Sequence, residues 1–265
     1  MRPRPRPRVL VAALLLFGAA AAFAQRQLEP EEVNIPMPPD AAEPAEFSFV
    51  RLEYDGDGGG WGRGRGRGSW TVDWPSADRH FLQGVRRLTG IHARPLERTV
   101  RIMDEELFDY PWIYAVEVGQ WSLSPEQAAR LREYLLRGGF LMVDDFHGER
   151  EWMSFMEGLS MVFPDRKVVE VPEDDAIFHV FYSVDQKVQV PGVRYIRTGI
   201  TYERDGVVPH WRGVYDDHGR IMVMINFNMD LGDAWEWADL PEYPEKWTAL
   251  AYRFGINYIV YAMTH

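Results

Sequence analysis

Two consecutive carboxylates and an imidazole follow an apolar run. Phe140-Leu141-Met142-Val143 leads directly into Asp144, Asp145 and, two residues on, His147. Paired carboxylates beside a histidine can hold a divalent cation, or divide by mutual repulsion into a general acid and a general base. Asp144, Asp145 and His147 are therefore the candidate catalytic residues. The same aspartates could instead cap the following turn and bind backbone amides.

Two other stretches carry ligand-type oxygens. In Asn226-Phe227-Asn228-Met229-Asp230-Leu231-Gly232-Asp233-Ala234-Trp235-Glu236, the residues Asn226, Asn228 and Asp230 fall at alternate positions, as in a calcium loop, with Trp235 close behind. Leu231 stands where such a loop wants glycine, and a loop ordered by its own side chains fits the same residues. In Asp73-Trp74-Pro75-Ser76-Ala77-Asp78, two aspartates flank Trp74 at a loop-to-helix junction. They could line a cleft, or serve the start of the helix, where acids are favoured. Tyr54, at the end of the first predicted strand, completes the ligand-binding candidates: Tyr54, Asp73, Trp74, Asp78, Asn226, Asn228, Asp230 and Trp235. A divalent cation is the one cofactor that these residue types suggest.

Other chemistries are excluded. The chain has no cysteine, so disulfides, thiolate metal sites and thiol nucleophiles are out. His80, His92, His179, His210 and His218 show no ligand spacing, and neither a His-x-x-x-His pair nor a Gly-x-Ser-x-Gly elbow occurs.

The elements that must position these residues alternate. Glu46 to Tyr54 reads as a strand, and Phe81, Leu82, Val85 and Leu88 mark the apolar face of a helix ending at Gly90. Thr99 to Met103 and Pro111 to Val118 read as strands. The next helix has Ser124 at its N-cap, Pro125 at the first turn and Gln127 closing a capping box. Gly138 supplies the left-handed turn at its end. Phe140 to Val143 is apolar throughout, as a strand covered on both faces should be. Trp152, Phe155, Met156 and Leu159 predict a further helix, and Lys167 to Val171 a fifth strand. After Pro172 the segments Val193 to Arg197, Trp211 to Tyr215 and Arg220 to Phe227 read as strands, the last two joined by the turn Asp216-Asp217-His218-Gly219. Lys246 to Met263 closes the chain as a helix. The alternation predicts an α/β fold with a mainly parallel central sheet and a C-terminal β-hairpin plus helix.

Arg2, Arg4, Arg6 and Arg8 precede an apolar run from Val9 to Phe23 and the small-x-small triplet Ala22-Phe23-Ala24. This predicts a signal peptide over 1–24, cleaved before Gln25, in a periplasmic or secreted protein. The apolar run is shorter than the ~20 residues a membrane span needs, so no stable membrane insertion is expected after cleavage. Residues 25–45, with five prolines and several acids, read as a tether, and 46–265 as a single domain. Net charge is −11, and loss of the four signal arginines leaves −15, which disfavours nucleic acid as a partner. The Arg-Gly run over 62–68 could bind anions, or keep a flexible loop soluble. It lacks the strand and helix that frame a dinucleotide fingerprint.

Several motifs in order, Phe49-Val50-Arg51-Leu52-Glu53-Tyr54, Trp74-Pro75-Ser76-Ala77-Asp78, Tyr110-Pro111-Trp112-Ile113-Tyr114, Gly138-Gly139-Phe140-Leu141 with Asp144-Asp145-Phe146, Val162-Phe163-Pro164-Asp165 and Gly255-Ile256-Asn257-Tyr258-Ile259-Val260-Tyr261, resemble the bacterial family called domain of unknown function 4159. The resemblance covers nearly all of 46–265. It implies kinship with the class I glutamine-amidotransferase-like superfamily and a flavodoxin-like three-layer α/β/α sandwich. Members also occur within membrane-anchored proteins of the aerotolerance type. The family carries no established catalytic residues to transfer. The amidotransferases of that fold use a cysteine, so their thiol chemistry is unavailable here.

Two functions remain. One is a non-catalytic binding module that takes an exported or membrane-anchored protein, or a glycan, in a cleft at the strand ends. The other is a metal- or carboxylate-dependent hydrolase, acting for example on sugars, built on Asp144, Asp145 and His147.

Overall fold

The computed structural model describes residues 38–56 and 69–265. The proposed signal peptide, residues 25–37 of the tether and the Arg-Gly run lie outside these. Pro38 to His265 forms one compact unit. Residues 38–45, the end of the tether as read from sequence, form a turn with Ala41 buried and Asp40 paired to Arg86.

The main sheet has seven strands, in the order β3-β1-β4-β6-β9-β8-β7. These are β1 (Val50–Glu53), β3 (Arg98–Arg101), β4 (Trp112–Val116), β6 (Phe140–Asp144), β7 (Val169–Glu170), β8 (His210–Tyr215) and β9 (Ile221–Phe227). The first five in this order are mutually parallel, and β8 runs against both of its neighbours, β9 and β7. A separate pair, β2 (Asp55–Gly56) and β5 (Trp121–Ser122), is antiparallel. The helices are α1 (Ser76–Leu88), α2 (Pro125–Leu136), α3 (Gly148–Val162), α4 (Tyr195–Thr198), α5 (Leu231–Glu236) and α6 (Glu245–Thr264).

The apolar run Phe140 to Val143 is the middle strand, with every residue of β4, β6 and β9 buried. Side chains alternate across a strand, so each central strand feeds two cores. Trp112, Tyr114, Phe140 and Met142 pack with Phe81 and Val85 of α1, Trp235 of α5 and Phe254 and Tyr258 of α6. Ile113, Ala115, Leu141 and Val143 pack with Leu131 of α2 and Phe155 and Leu159 of α3. A buried side chain of this size is worth ~1.5–3 kcal/mol, so these two faces supply the main driving force for folding.

Local signals act as the sequence predicts at α2. Ser124 accepts from the Gln127 amide at 3.2 Å and Gln127 Oε1 accepts from the Ser124 amide at 2.8 Å. Gly138 takes φ +111° after the helix. Gly139 is needed for space, since a Cβ there would lie 2.4 Å from the Tyr134 ring.

Two expectations are corrected. Val193 to Arg197 is not a strand: Tyr195–Thr198 is one helical turn, stopped by Gly199 at φ +67°. Lys167 to Val171 contracts to two exposed residues at the antiparallel edge. The predicted hairpin forms as β8 and β9 and joins the main sheet, β9 lying parallel to β6. Hydrophobic periodicity carries no information on strand direction, so that parallel pairing is set by the tertiary structure. Among the described residues no helix is long and apolar enough to cross a membrane.

Candidate functional site

Three adjacent parallel strands, β4, β6 and β9, are each followed directly by a residue with left-handed backbone. These are Glu117 (φ +54°), Asp145 (φ +51°) and Asn228 (φ +63°), and a fourth, Asp73 (φ +58°), closes the loop after β1. Non-glycine residues rarely take this conformation, which costs ~1–3 kcal/mol each. Here it turns the chain sharply at the carboxyl end of the sheet and leaves polar side chains at the strand tips. Strands β1 and β4 are neighbours although β3 lies between them in sequence, on the other side of β1. The chain thus reverses its winding direction at that gap, where ligands of open α/β sheets bind.

Asp144 is the last residue of β6 and fully buried. Strand alternation turns it to the face of Tyr114, whose hydroxyl donates to Asp144 Oδ2 at 3.2 Å. The same oxygen accepts from the amides of Leu231 (2.8 Å) and Gly232 (3.0 Å) at the start of α5. Asp144 Oδ1 has no hydrogen-bond partner among the described residues. His147, the N-cap residue of α3, lies with Nε2 3.1 Å from Asp145 Oδ1, and its Nδ1 has no hydrogen-bond partner among the described residues. Asp230 caps α5 by accepting from the Asp233 amide at 2.7 Å.

Asp73, Asp145 and Asp230 each offer one carboxylate oxygen within 4.8 Å of the other two. Asp73, Asp233 and Glu236 form a second such group. Burial is the first cause in each case that raises the pKa values of Asp73, Asp144, Asp145 and Asp230 well above the usual carboxylate range, and neighbouring carboxylates add to it. Burial and then Asp145 push Glu117 up to about 8. Burial lowers His147 to about 4, leaving its imidazole neutral at ordinary pH. A buried group of acids with raised pKa values is poised either to share protons or to take a cation.

Arg51 holds the Asp73 loop. Buried in β1, it binds both oxygens of Asp78 in the first turn of α1, with Nε 3.0 Å from Oδ2. Its Nη1 donates to the carbonyls of Trp70 (2.9 Å) and Val72 (2.7 Å). Arg204 pairs with Glu151 and donates to the His147 carbonyl at 3.4 Å.

The structure thus brings Asp73, Asp144, Asp145, His147 and Asp230 together. Asp78 is spent on Arg51. Tyr54 supports the end of β4 by donating to the Val116 and Glu117 carbonyls at 2.7 and 3.0 Å. Asn226 is held between the Val143 carbonyl and the Tyr258 hydroxyl. Asn228 accepts from the Gly148 amide at 2.9 Å and donates to the Val208 carbonyl at 2.7 Å. Trp235 is buried against Phe49, Phe81 and Tyr114. Trp74 is partly exposed and meets Trp70 edge-on. The stretch from Asn226 to Glu236 is therefore a strand end, a turn and a capped helix, and not a cation loop of its own. Of its carboxylates, Asp230 meets Asp73 and Asp145 through space, while Asp233 and Glu236 meet Asp73 in the second group.

Glu117, Asp233, Arg204 and Glu203, whose charge acts on Asp145 and His147, were not among the sequence candidates. Glu117 had a readable signal, since it follows the apolar strand Trp112 to Val116 just as Asp144 and Asp145 follow theirs. Glu203 and Arg204 had none. Beside the cluster, a groove of about 300 Å³ is lined by Gly148, Trp152, Asp205, His210, Phe227 and Asn228, among others.

Comparison with known families is consistent with the whole described domain. The family described as Domain of unknown function (DUF4159) matches residues 48–263. No curated protein matches the chain.

Proposed function

The chain belongs to the DUF4159 family, and from that premise we propose that it is an exported hydrolase whose reaction centre is the carboxylate cluster at the strand ends. One observation carries this reading: Asp73, Asp145 and Asp230, from three separate segments, converge within 4.8 Å. A surface used only for docking would gain nothing by gathering three acids, two of them buried and one half-buried, which costs free energy unless they are used or neutralised. The five parallel strands, numbered along the chain, run 2-1-3-4-5. That order is the flavodoxin-like one, and it supports the three-layer sandwich and the amidotransferase-like kinship that the resemblance implies. The basic and apolar segments of residues 1–24 support export to the periplasm or beyond.

The division of labour follows from the environments. Asp145, at the turn after β6, is the group placed to act on substrate. His147 orients it and stays neutral to accept a proton. Asp144 is anchored by two helix amides and fixes the end of α5. A second reading, a non-catalytic module for a glycan or an exported or membrane-anchored protein, is favoured by the neighbouring groove with Trp152, Phe227 and His210 on its walls.

The test is turnover of model glycosides, esters and phosphoesters by the full chain. Expected is hydrolysis of one class, reduced by at least ~100-fold in Asp145→Asn, with Trp152→Ala acting mainly on KM. Wild-type rates no higher than those of Asp145→Asn would refute the hydrolase. Retained capture of a glycan or exported protein, lost in Trp152→Ala alone, would establish the module instead.

A further inference from the structure

We propose that Asp73, Asp145 and Asp230 bind one divalent cation of the hard, oxygen-seeking class, magnesium, manganese or calcium. This inference rests on the reading of the cluster as the working centre, and it decides between proton sharing and cation chemistry there.

The spacing fits. Oxygens around a cation at 2.0–2.6 Å lie ~3–5 Å from one another, and the three carboxylate oxygens fall within 4.8 Å. The donor set is all carboxylate in a chain without cysteine, which suits a hard cation over a thiophilic one. The alternative group of Asp73, Asp233 and Glu236 is less free. Asp233 Oδ2 already accepts from the Val193 amide at 2.6 Å and Oδ1 from the Trp237 indole at 3.0 Å.

A second observation is independent of the spacing. Buried polar atoms are nearly always paired, and exceptions mark an absent ion, water or ligand. Asp73, within the cluster, and Asp144, next to Asp145 in the chain, carry such exceptions. Asp144 is fully buried, with Oδ2 served three times and Oδ1 by none of the described residues. Asp73 Oδ2 is buried and equally unserved. Gly232 lies between the two acids. Gly232 donates to Asp144, and a Cβ at Gly232 would lie 2.7 Å from Asp73 Oδ2 and 3.6 Å from Asp230 Oδ1. His147 braces Asp145 from outside through Nε2, the outer support that ligating carboxylates require. A cation placed among these oxygens would neutralise the like charges that otherwise repel.

The test uses the full chain after chelator treatment, titrated with manganese by electron paramagnetic resonance and, in parallel, with magnesium, calcium and zinc by thermal melting. Expected is one saturable manganese site and a melting temperature that climbs with free cation. Asp145→Asn and Asp230→Asn weaken the affinity at least ~10-fold, while Glu106→Gln, at an exposed surface position, leaves it unchanged. Loss of one repelling charge keeps the cation-free variants at least as thermostable as the wild type, so lost binding is not lost folding. Absence of saturable binding at about 1 mM cation, a weak-site concentration, or undiminished binding in Asp145→Asn, overturns the proposal. Hydrolysis that persists in chelator yet vanishes in Asp145→Asn overturns the cation and keeps the reaction centre. A cation that binds without any hydrolysis does the reverse.

Discussion

Asp145 and His147 face each other across the start of α3, with the imidazole Nε2 3.1 Å from Asp145 Oδ1 and both side chains almost wholly withdrawn from solvent. Burial acts on them in opposite senses. It disfavours charge on each, raising the carboxyl and lowering the imidazole. Both members of the pair are thus biased towards their uncharged forms, among further acids shifted in the same direction as Asp145.

That arrangement has a signature in the pH dependence of stability. An acid whose folded pKa is raised gives stability that is complete below its unfolded pKa and lost as pH climbs through the folded one. Glu117, raised from 4.5 to about 8, sets the window. His147, lowered from 6.5 to about 4, has the other sign, its contribution being present above 6.5 and lost as pH falls towards 4. Cation-free protein should therefore lose melting temperature as pH rises from 4.5 towards 8, the acids outnumbering the histidine. Glu117→Gln should flatten this decline and add ~1–2 kcal/mol at the alkaline end. Thermal melts in chelator across that range decide it, and superimposable profiles for the two proteins would refute the assignment.

The Arg51–Asp78 pair predicts a large structural effect. Breaking a buried pair strands the other charge and costs ~3–5 kcal/mol. Arg51→Met should show this loss in urea denaturation. Arg51→Met combined with Asp78→Leu should recover part of it, though not the bonds to the Trp70 and Val72 carbonyls. Equal stability of the single variant and the wild type would contradict the burial of this pair.

Gly232→Ala tests the site without changing its charge. The new Cβ would meet Asp73 Oδ2 at 2.7 Å and the Tyr114 hydroxyl at 3.0 Å, so one of them must move. A displacement of about 1 Å can cost ~100-fold in rate, and that loss is expected in the hydrolysis assay while near-ultraviolet circular dichroism stays native. Full activity would mean that Asp73 is not at the reaction centre.

Ser124→Ala is the control away from the site. It removes one half of the capping box of α2 and should cost ~1 kcal/mol, measured as a shifted urea midpoint with unchanged cation affinity.

The amino-acid sequence by itself determined the elements with strong local signals. The capping box at Ser124, the double glycine at 138 and 139 and the unbroken apolar run to Val143 depend on contacts within a few residues, so their outcome is written locally. The same logic placed Asp144, Asp145 and His147 at a strand's end. Only the tertiary structure decided which oxygens share a site. Asp73, Asp145 and Asp230 come from three segments brought together by the order of the strands, and periodicity is silent on which strands are neighbours or in which direction they run. Asn226 and Asp230 look equivalent in sequence, yet one is consumed by the Tyr258 hydroxyl and the other faces the acids. That difference is made by side chains distant along the chain, which are not visible until the sheet has formed.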